Sequence, residues 1–352
     1  MNLKNYPARA WIISNPRILW RIARGFTRAL LFNKNTLRTV HLLPTFDCQA
    51  KCEMCSVAKF NQGKSGLLTL ADYDSIAEQS ARMGAIAATF LGGEPLLVRN
   101  LDEIIRLFKS RHFFISLVSN GIAATRDRMK TLRSAGLDAV FFGLETLDEK
   151  VNDTLRGFPG QCGKVLHAIQ ICQEEGLLTG LCTVLFPGEV DRYIELAEFC
   201  RNNNLQMALP SLAGVGAAEE ARCASNTTEY EEVIGLMKRY PHLSVDWAFS
   251  YSLKPRCPSG KEKIAITCYG DVLGCTLNHI SFGNIKKEPL QKIWRRAGQF
   301  SQFKKNSDRC LAAFDSHYIR TFLGPIARME KSPVPFQDHP SISPEEEPGV
   351  FL

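Results

Sequence analysis

What this chain lacks narrows its class before any motif is read. No stretch approaches the roughly 20 consecutive apolar residues that a membrane-spanning helix requires. No secretory signal pattern is present, because the arginines of the N-terminal segment are spread through its apolar stretch instead of preceding it. Twelve cysteines without such a signal point to reduced thiols in a cytoplasmic setting, not to a disulfide framework. Residues 1–46 contain no acidic residue, and the other 306 set 35 of the 43 basic residues against all 36 acidic ones, so the net charge of +7 belongs to the N-terminal segment. No recognised nucleic-acid motif accompanies that basicity, and nucleic acid is not an expected partner.

Within the basic segment, residues 16–32 project as a helix with Arg17, Arg21, Arg24 and Arg28 on one stripe. Leu19, Ile22, Phe26 and Leu30 cluster on the opposite face with Ala23 and Ala29. Two readings fit: a helix lying on an anionic membrane surface, or one that packs its apolar face on the main domain and leaves the arginines in water.

The densest chemical signal is Cys48-Gln-Ala-Lys-Cys52-Glu-Met-Cys55, directly after the predicted strand Thr39–Leu43. Structural zinc normally takes four protein ligands, and the nearest candidate, His41, lies on the strand. Ordinary buried thiols fit poorly among Asp47, Gln49, Lys51 and Glu53. Three thiolates can hold three corners of an iron-sulfur cluster and leave one iron open.

Downstream, helices and strands alternate. A capped helix from Thr69 to Met83 leads to the strand Ala85–Leu91, a helix over 101–111 to a strand over 113–118, and a helix over 125–135 to a strand over 138–142. A helix over 163–175 then leads to a strand over 179–185, and one over 192–202 to a last strand, 205–210. This order predicts an α/β fold, a partial (β/α)6 TIM-like barrel with its site at the strand C-termini. Those ends carry Gly92-Gly93-Glu94-Pro95, Ser119-Asn120-Gly121, Gly143-Leu144-Glu145 and the segment Asn152 to Gly157, which contains Arg156.

The C-x3-C-x2-C spacing and these strand-end motifs together resemble the radical S-adenosylmethionine (SAM) superfamily. The resemblance implies a 4Fe-4S cluster held by Cys48, Cys52 and Cys55, with SAM chelating the open iron, and reductive cleavage of SAM to a 5′-deoxyadenosyl radical. It implies cofactor contacts from Gly92, Gly93, Glu94, Ser119, Asn120, Glu145 and Arg156. Thr183 either faces the adenine or fills the barrel interior. Gly143 replaces a hydroxyl residue common in the family. An electron donor such as flavodoxin or ferredoxin is the implied partner, and no catalytic residue is assigned.

Beyond Pro210 the alternation is expected to stop. Cys257, Gly270 to Cys275 and the following Phe282-Gly-Asn-Ile285 resemble the SPASM or twitch extension, in which a β-hairpin and a helix hold an auxiliary iron-sulfur cluster. Strands 263–267 and 272–273 join through Tyr269-Gly270-Asp271, and Cys310 suits a third ligand. Where relatives commonly add a cysteine three positions on, this chain has Ala313. Cys268, Asp308, Asp315 and His317 are candidates to complete the site, or its iron stays open. Cys162, Cys172, Cys182, Cys200 and Cys223 read as buried thiols.

The expected organisation is a basic segment (1–37), a barrel (38–215), an auxiliary-cluster region (216–325) and a flexible tail (326–352). The expected function is a radical SAM enzyme, cytoplasmic or peripheral to a membrane, acting on a hydrophobic or lipid-linked substrate by hydrogen abstraction or radical addition. The alternatives are a peptide- or protein-modifying enzyme and a non-catalytic iron-sulfur or SAM-binding regulator.

Overall fold

The computed structural model describes residues 15–60, 66–186, 188–215, 227–245, 247, 250–327, 329 and 332–351. Strands β1 (Thr39–Leu43), β2 (Ala87–Phe90), β3 (Phe114–Ser119), β4 (Ala139–Gly143), β5 (Leu178–Cys182) and β6 (Gln206–Ala208) lie side by side in chain order and pair in parallel. All five residues of β1 are buried, as expected of a parallel strand covered on both faces.

Helix α1 (Pro16–Phe32) precedes the sheet. Helices α2 (Leu70–Met83), α3 (Leu101–Lys109), α4 (Arg126–Ala135), α5 (Glu149–Arg156), α6 (Gln161–Glu174) and α7 (Val190–Asn202) form the crossovers. Their limits follow local chemistry. In α2, Thr69 and Asp72 make a reciprocal capping box, and Gly84 ends the helix at φ +102°. The segment containing Asn152 and Arg156 is the helix α5, capped by Asp148.

The alternation does not stop at Pro210. After α8 (Thr227–Arg239), the two-residue strand β7 (Leu243–Ser244) pairs in parallel with β6. The C-terminal hairpin is also no separate layer. Its first strand, β8 (Lys263–Thr267), pairs in parallel with β1 from Thr39↔Lys263 to Leu43↔Thr267. Then β9 (Asp271–Leu273), β10 (Ile280–Asn284) and β11 (Val334–Pro335) extend one sheet of order β11-β10-β9-β8-β1-β2-β3-β4-β5-β6-β7 among the described residues. Helix α9 (Leu290–Gln299) packs on this extension.

The segment read as a flexible tail is packed over 332–351. Phe336 stacks on Phe282 with ring centroids 6.4 Å apart, Val350 is fully buried, and Ser301 N donates to Glu347 Oε2 at 2.9 Å. The aromatic and aliphatic residues scattered between its prolines, not a helical period, make these contacts.

Helix α1 docks with part of its apolar face and part of its arginine stripe, instead of the apolar face alone: Phe26 meets the Tyr251 ring edge-on with centroids 5.2 Å apart. Arg21 donates to the carbonyls of Ala85 (3.1 Å) and Arg111 (3.0 Å), Arg28 Nε donates to Thr36 Oγ1 (3.1 Å), and Ile18 and Gly25 are buried. Leu19, Trp20, Leu30, Leu31 and Phe32 are exposed. The guanidinium groups satisfy carbonyls and hydroxyls where strands begin and α3 ends. A surface bound through α1 therefore faces the strand N-termini, not the C-terminal ends where the cysteine loop and glycine turns gather.

Candidate functional site

The cysteine loop leaves β1 and is clasped by two strand-end turns. The backbone N–H groups of Gly93 and Glu94 donate to the carbonyls of Thr45 (2.9 Å) and Asp47 (2.7 Å). A Cβ on Gly93 would stand 2.3 Å from Asp47 O. On the other side, Glu53 N donates to Leu155 O at 3.0 Å, and Gly157, at φ +60°, lies so close to Lys51 that a Cβ would stand 2.4 Å from its carbonyl oxygen. Close backbone approach requires glycine at both positions.

Cys48, Cys52 and Cys55 line the cavity so formed, about 590 Å³ in volume, with Gly92, Gly93, Ser119, Asn120, Gly143 and Arg156. Asn120 Nδ2 lies 3.4 Å from Cys48 Sγ, and Arg156 Nη1 lies 4.0 Å from Cys52 Sγ. Burial raises the pKa of Cys48 and pushes Cys55 up to about 11. Such thiols become thiolates when a cationic group binds them. Among the described residues, no group of three or more His, Cys, Asp or Glu converges on a single metal ion. A cluster binds its thiolates at separate corners and needs no such convergence.

Glu94 is fully buried and acts as a strut. Its Oε1 accepts from Leu96 N (2.9 Å) and Ser119 Oγ (2.9 Å), and its Oε2 from Asn120 N (2.7 Å). Burial pushes its pKa up to about 7 against these donors. The carboxylate thus ties the β2 and β3 turns together.

Glu145, also fully buried, accepts from Arg156 Nη2 (2.5 Å) and Val184 N (2.9 Å). Arg156 spans from this carboxylate to Cys52, and its Nε is buried without a hydrogen-bond partner among the described residues. That orphaned donor at the cavity wall suits a ligand with acceptor atoms. The missing side chain at position 143 is explained here, because a Cβ on Gly143 would lie 2.4 Å from Arg156 Nη1.

Thr183 is not brought into the cavity. It is fully buried and its Oγ1 donates to Leu144 O at 2.7 Å, whereas Cys182 and Val184 on either side of it line the wall. The period-two alternation of the extended run that leaves β5 carries this signal, although the sequence reading placed Cys182 only as a buried thiol.

A second cavity of about 330 Å³ continues into the barrel, sharing Met54, Val57, Leu91, Val118, Cys182 and Val184 with the first. Its far wall includes Ser211, Thr276 and Leu277. Thr276 follows Cys275, and the Ser211 hydroxyl hydrogen-bonds Cys310. Cys257, Cys275 and Cys310 interact electrostatically with one another. Burial pushes Cys275 up to about 11 and raises Cys310 further. These three thiols meet the same test as the N-terminal set.

The candidates for a fourth position there carry other contacts or face solvent. Cys268 sits beside Tyr73, Asp308 pairs with Arg309 (2.9 Å), Asp315 caps Tyr318 N (2.8 Å), and His317 is exposed. Sequence reading missed Tyr318, which is buried with its hydroxyl accepting from Asn278 Nδ2 at 2.6 Å; no spacing rule signals it. Cys162, Cys172 and Cys200 are buried as expected, and Cys223 lies outside the described residues.

Comparison with known proteins agrees with this geometry. Residues 42–200 match the model of the radical SAM superfamily, and residues 257–313 match that of an iron-sulfur cluster-binding domain, SPASM. A PqqA peptide cyclase of Rhizobium meliloti is 24% identical over 278 residues, covering 74% of each chain. The same enzyme of Xanthomonas campestris is 24% identical over 277 residues, with the same coverage. Among solved structures, Streptococcus suis SuiB bound to S-adenosylmethionine superposes with a TM-score of 0.62 at 18% identity, covering 79% of this chain and 70% of SuiB. SuiB bound to its precursor peptide SuiA gives 0.61 at 18% identity, covering 80% and 70%. These structural likenesses are likenesses of fold.

Proposed function

The chain belongs to the radical SAM superfamily and is a radical SAM enzyme with a SPASM iron-sulfur extension, and we propose that its substrate is a peptide from which it abstracts hydrogen. The carrying observation is the placement of both cysteine sets around connected cavities. The cavity beside Cys48, Cys52 and Cys55 leads into a lumen whose far wall adjoins Cys275 and Cys310. A lumen of this volume suits one side chain of a longer substrate. The relatives named as peptide cyclases support the peptide class over the hydrophobic or lipid-linked substrate. The lipid reading also loses its geometric premise, since α1 lies at the strand N-termini.

In this reading Cys48, Cys52 and Cys55 hold the 4Fe-4S cluster that binds SAM, and Cys257, Cys275 and Cys310 hold one auxiliary cluster. The first cluster with SAM supplies a 5′-deoxyadenosyl radical. The protein's own contributions are positional. Gly93 and Gly157 fix the cysteine loop, and Glu94 locks the turn that presents Gly92, Ser119 and Asn120. Arg156, anchored by Glu145, offers its free Nε to a cofactor acceptor atom. Met54, Val57, Leu91, Val118 and Val184 keep the passage apolar, which limits water and stray hydrogen donors.

Flavodoxin or ferredoxin is the proposed electron donor, and the free cysteines among the described residues suit a reducing cytoplasm. The exposed Leu19, Trp20, Leu30, Leu31 and Phe32 of α1 suit a peripheral membrane contact independent of the substrate. Vesicle flotation with and without residues 1–35 tests that contact.

For the substrate, the reconstituted enzyme is incubated anaerobically with SAM, reductant and separate peptide and lipid fractions of cells. The proposal expects a SAM-dependent mass change in a peptide. A change confined to lipid overturns it.

A further inference from the structure

A cleft of about 650 Å³ lies between α1 and the body of the protein, far from both cysteine sets. Arg17, Arg21 and Arg24 of α1, Arg82 of α2 and Arg111 just past α3 line it, with Glu78 as the one carboxylate among the described residues of its wall. Arg82 pairs with Glu78, and Arg111 with Asp74 at 2.8 Å. The other three guanidinium groups form no ion pair among the described residues. Arg21 is held by the carbonyls of Ala85 and Arg111, Arg17 Nη1 lies 2.6 Å from His112 Nε2, and Arg24 Cζ lies 5.4 Å from the centre of the Trp20 ring. Residues 1–46 contain no acid, so the N-terminal segment brings no carboxylate to neutralise them. Guanidinium forks converging from three elements on one cleft suit the oxygens of a phosphate group.

What carries that phosphate follows from the surface beside the cleft. Leu19, Trp20, Leu30 and Leu31 are exposed, and at about 100° per residue they fall within an arc of about 120° on α1. Arg24 and Arg17 come next around the helix, and Trp20 belongs to both the exposed band and the cleft wall. A soluble anion needs the arginines but leaves the apolar band in water. A phospholipid engages both, its phosphate among the guanidinium groups and its acyl boundary against the leucines and the indole.

We infer that this cleft is a headgroup site for an anionic phospholipid. The inference rests on the reading that α1 makes a peripheral membrane contact, and it adds a lipid class and a defined binding site. A protein seated this way holds its strand N-termini against the bilayer, and the cavity beside Cys48, Cys52 and Cys55 opens on the far side, toward a peptide in water.

The test uses the full chain in vesicle flotation with phosphatidylglycerol and with phosphatidylcholine vesicles. The wild type should float with the anionic vesicles and stay behind with the neutral ones. Equal recovery on both overturns the headgroup site and leaves the membrane contact standing; no flotation on either overturns both. Arg24→Gln with Arg82→Gln should lower binding to phosphatidylglycerol about tenfold or more, whereas Lys34→Gln with Lys130→Gln, which removes the same charge outside the cleft, should change it less than about twofold. Equal losses in the two double variants mean diffuse attraction and overturn the site. Calorimetry with glycerol 3-phosphate separates the sources of phosphate. Binding about tenfold or more weaker than to the vesicles is expected from the missing acyl contacts; binding as tight as to the vesicles assigns the cleft to a free phosphate compound and overturns the lipid assignment.

Discussion

The guanidinium of Arg156 fills the space that a side chain on Gly143 would occupy, with Nη1 only 2.4 Å from the position of a Cβ. The two positions therefore act as one unit: glycine on β4 admits the arginine, which holds Glu145 and reaches Cys52.

Gly143→Ser should displace Arg156 and weaken SAM binding at least tenfold in equilibrium dialysis of the reconstituted enzyme. Arg156→Met leaves Glu145 buried without its cation, and urea denaturation should register a loss of about 3–5 kcal/mol. Wild-type SAM affinity in Gly143→Ser, or wild-type stability in Arg156→Met, would show that the unit is not needed.

Glu94 should make the metal-free protein pH-dependent. Its folded pKa is raised by burial from 4.5 to about 7, so between these values the folded state binds more protons than the unfolded state. Its stabilising contribution is present below pH 4.5 and is lost as pH rises through 7, by about 3 kcal/mol. Denaturation of wild type and Glu94→Gln across this window should give a steeper decline for wild type. Parallel curves would remove Glu94 as the source.

The two cysteine sets should separate by iron count and by chemistry. Wild type should hold about eight irons after anaerobic reconstitution, and Cys257→Ala with Cys275→Ala about four. That double variant should still cleave SAM, whereas Cys48→Ala should not. About four irons in wild type, unchanged in the double variant, would exclude the auxiliary cluster.

Arg21 anchors α1 through two carbonyls. Arg21→Ala should cost about 1.5–3 kcal/mol of stability and leave SAM affinity within twofold, because the contact lies at the far end of the strands. A loss of SAM affinity without a loss of stability would contradict this placement.

Much of the site was legible because backbone chemistry marks it. The cysteine spacing, Gly92-Gly93-Glu94 and Ser119-Asn120-Gly121 fall at strand ends, and β1 to β6 follow from apolar runs that alternate with helical segments. The joining of β8 to β1 was not legible, since the two partners are separated by more than two hundred residues and each is an ordinary apolar run. The two-residue β7 is too short to show a period. The docking of α1 departed from the amphipathic rule, with Phe26 on Tyr251 and Arg21 and Arg28 on the body together, because arginine stems and forks can cap open carbonyls as well as face water. Tyr318 escaped notice because a buried tyrosine has no local sequence mark.

The most direct test of the central claim follows hydrogen from substrate to cofactor. A peptide fraction from cells grown in deuterated medium is supplied anaerobically to the reconstituted enzyme with unlabelled SAM and reductant, beside a matched lipid fraction. The account predicts 5′-deoxyadenosine carrying deuterium only with the peptide fraction, and none with Cys48→Ala. Deuterium from the lipid fraction alone, or no 5′-deoxyadenosine from a fully loaded enzyme, would contradict it.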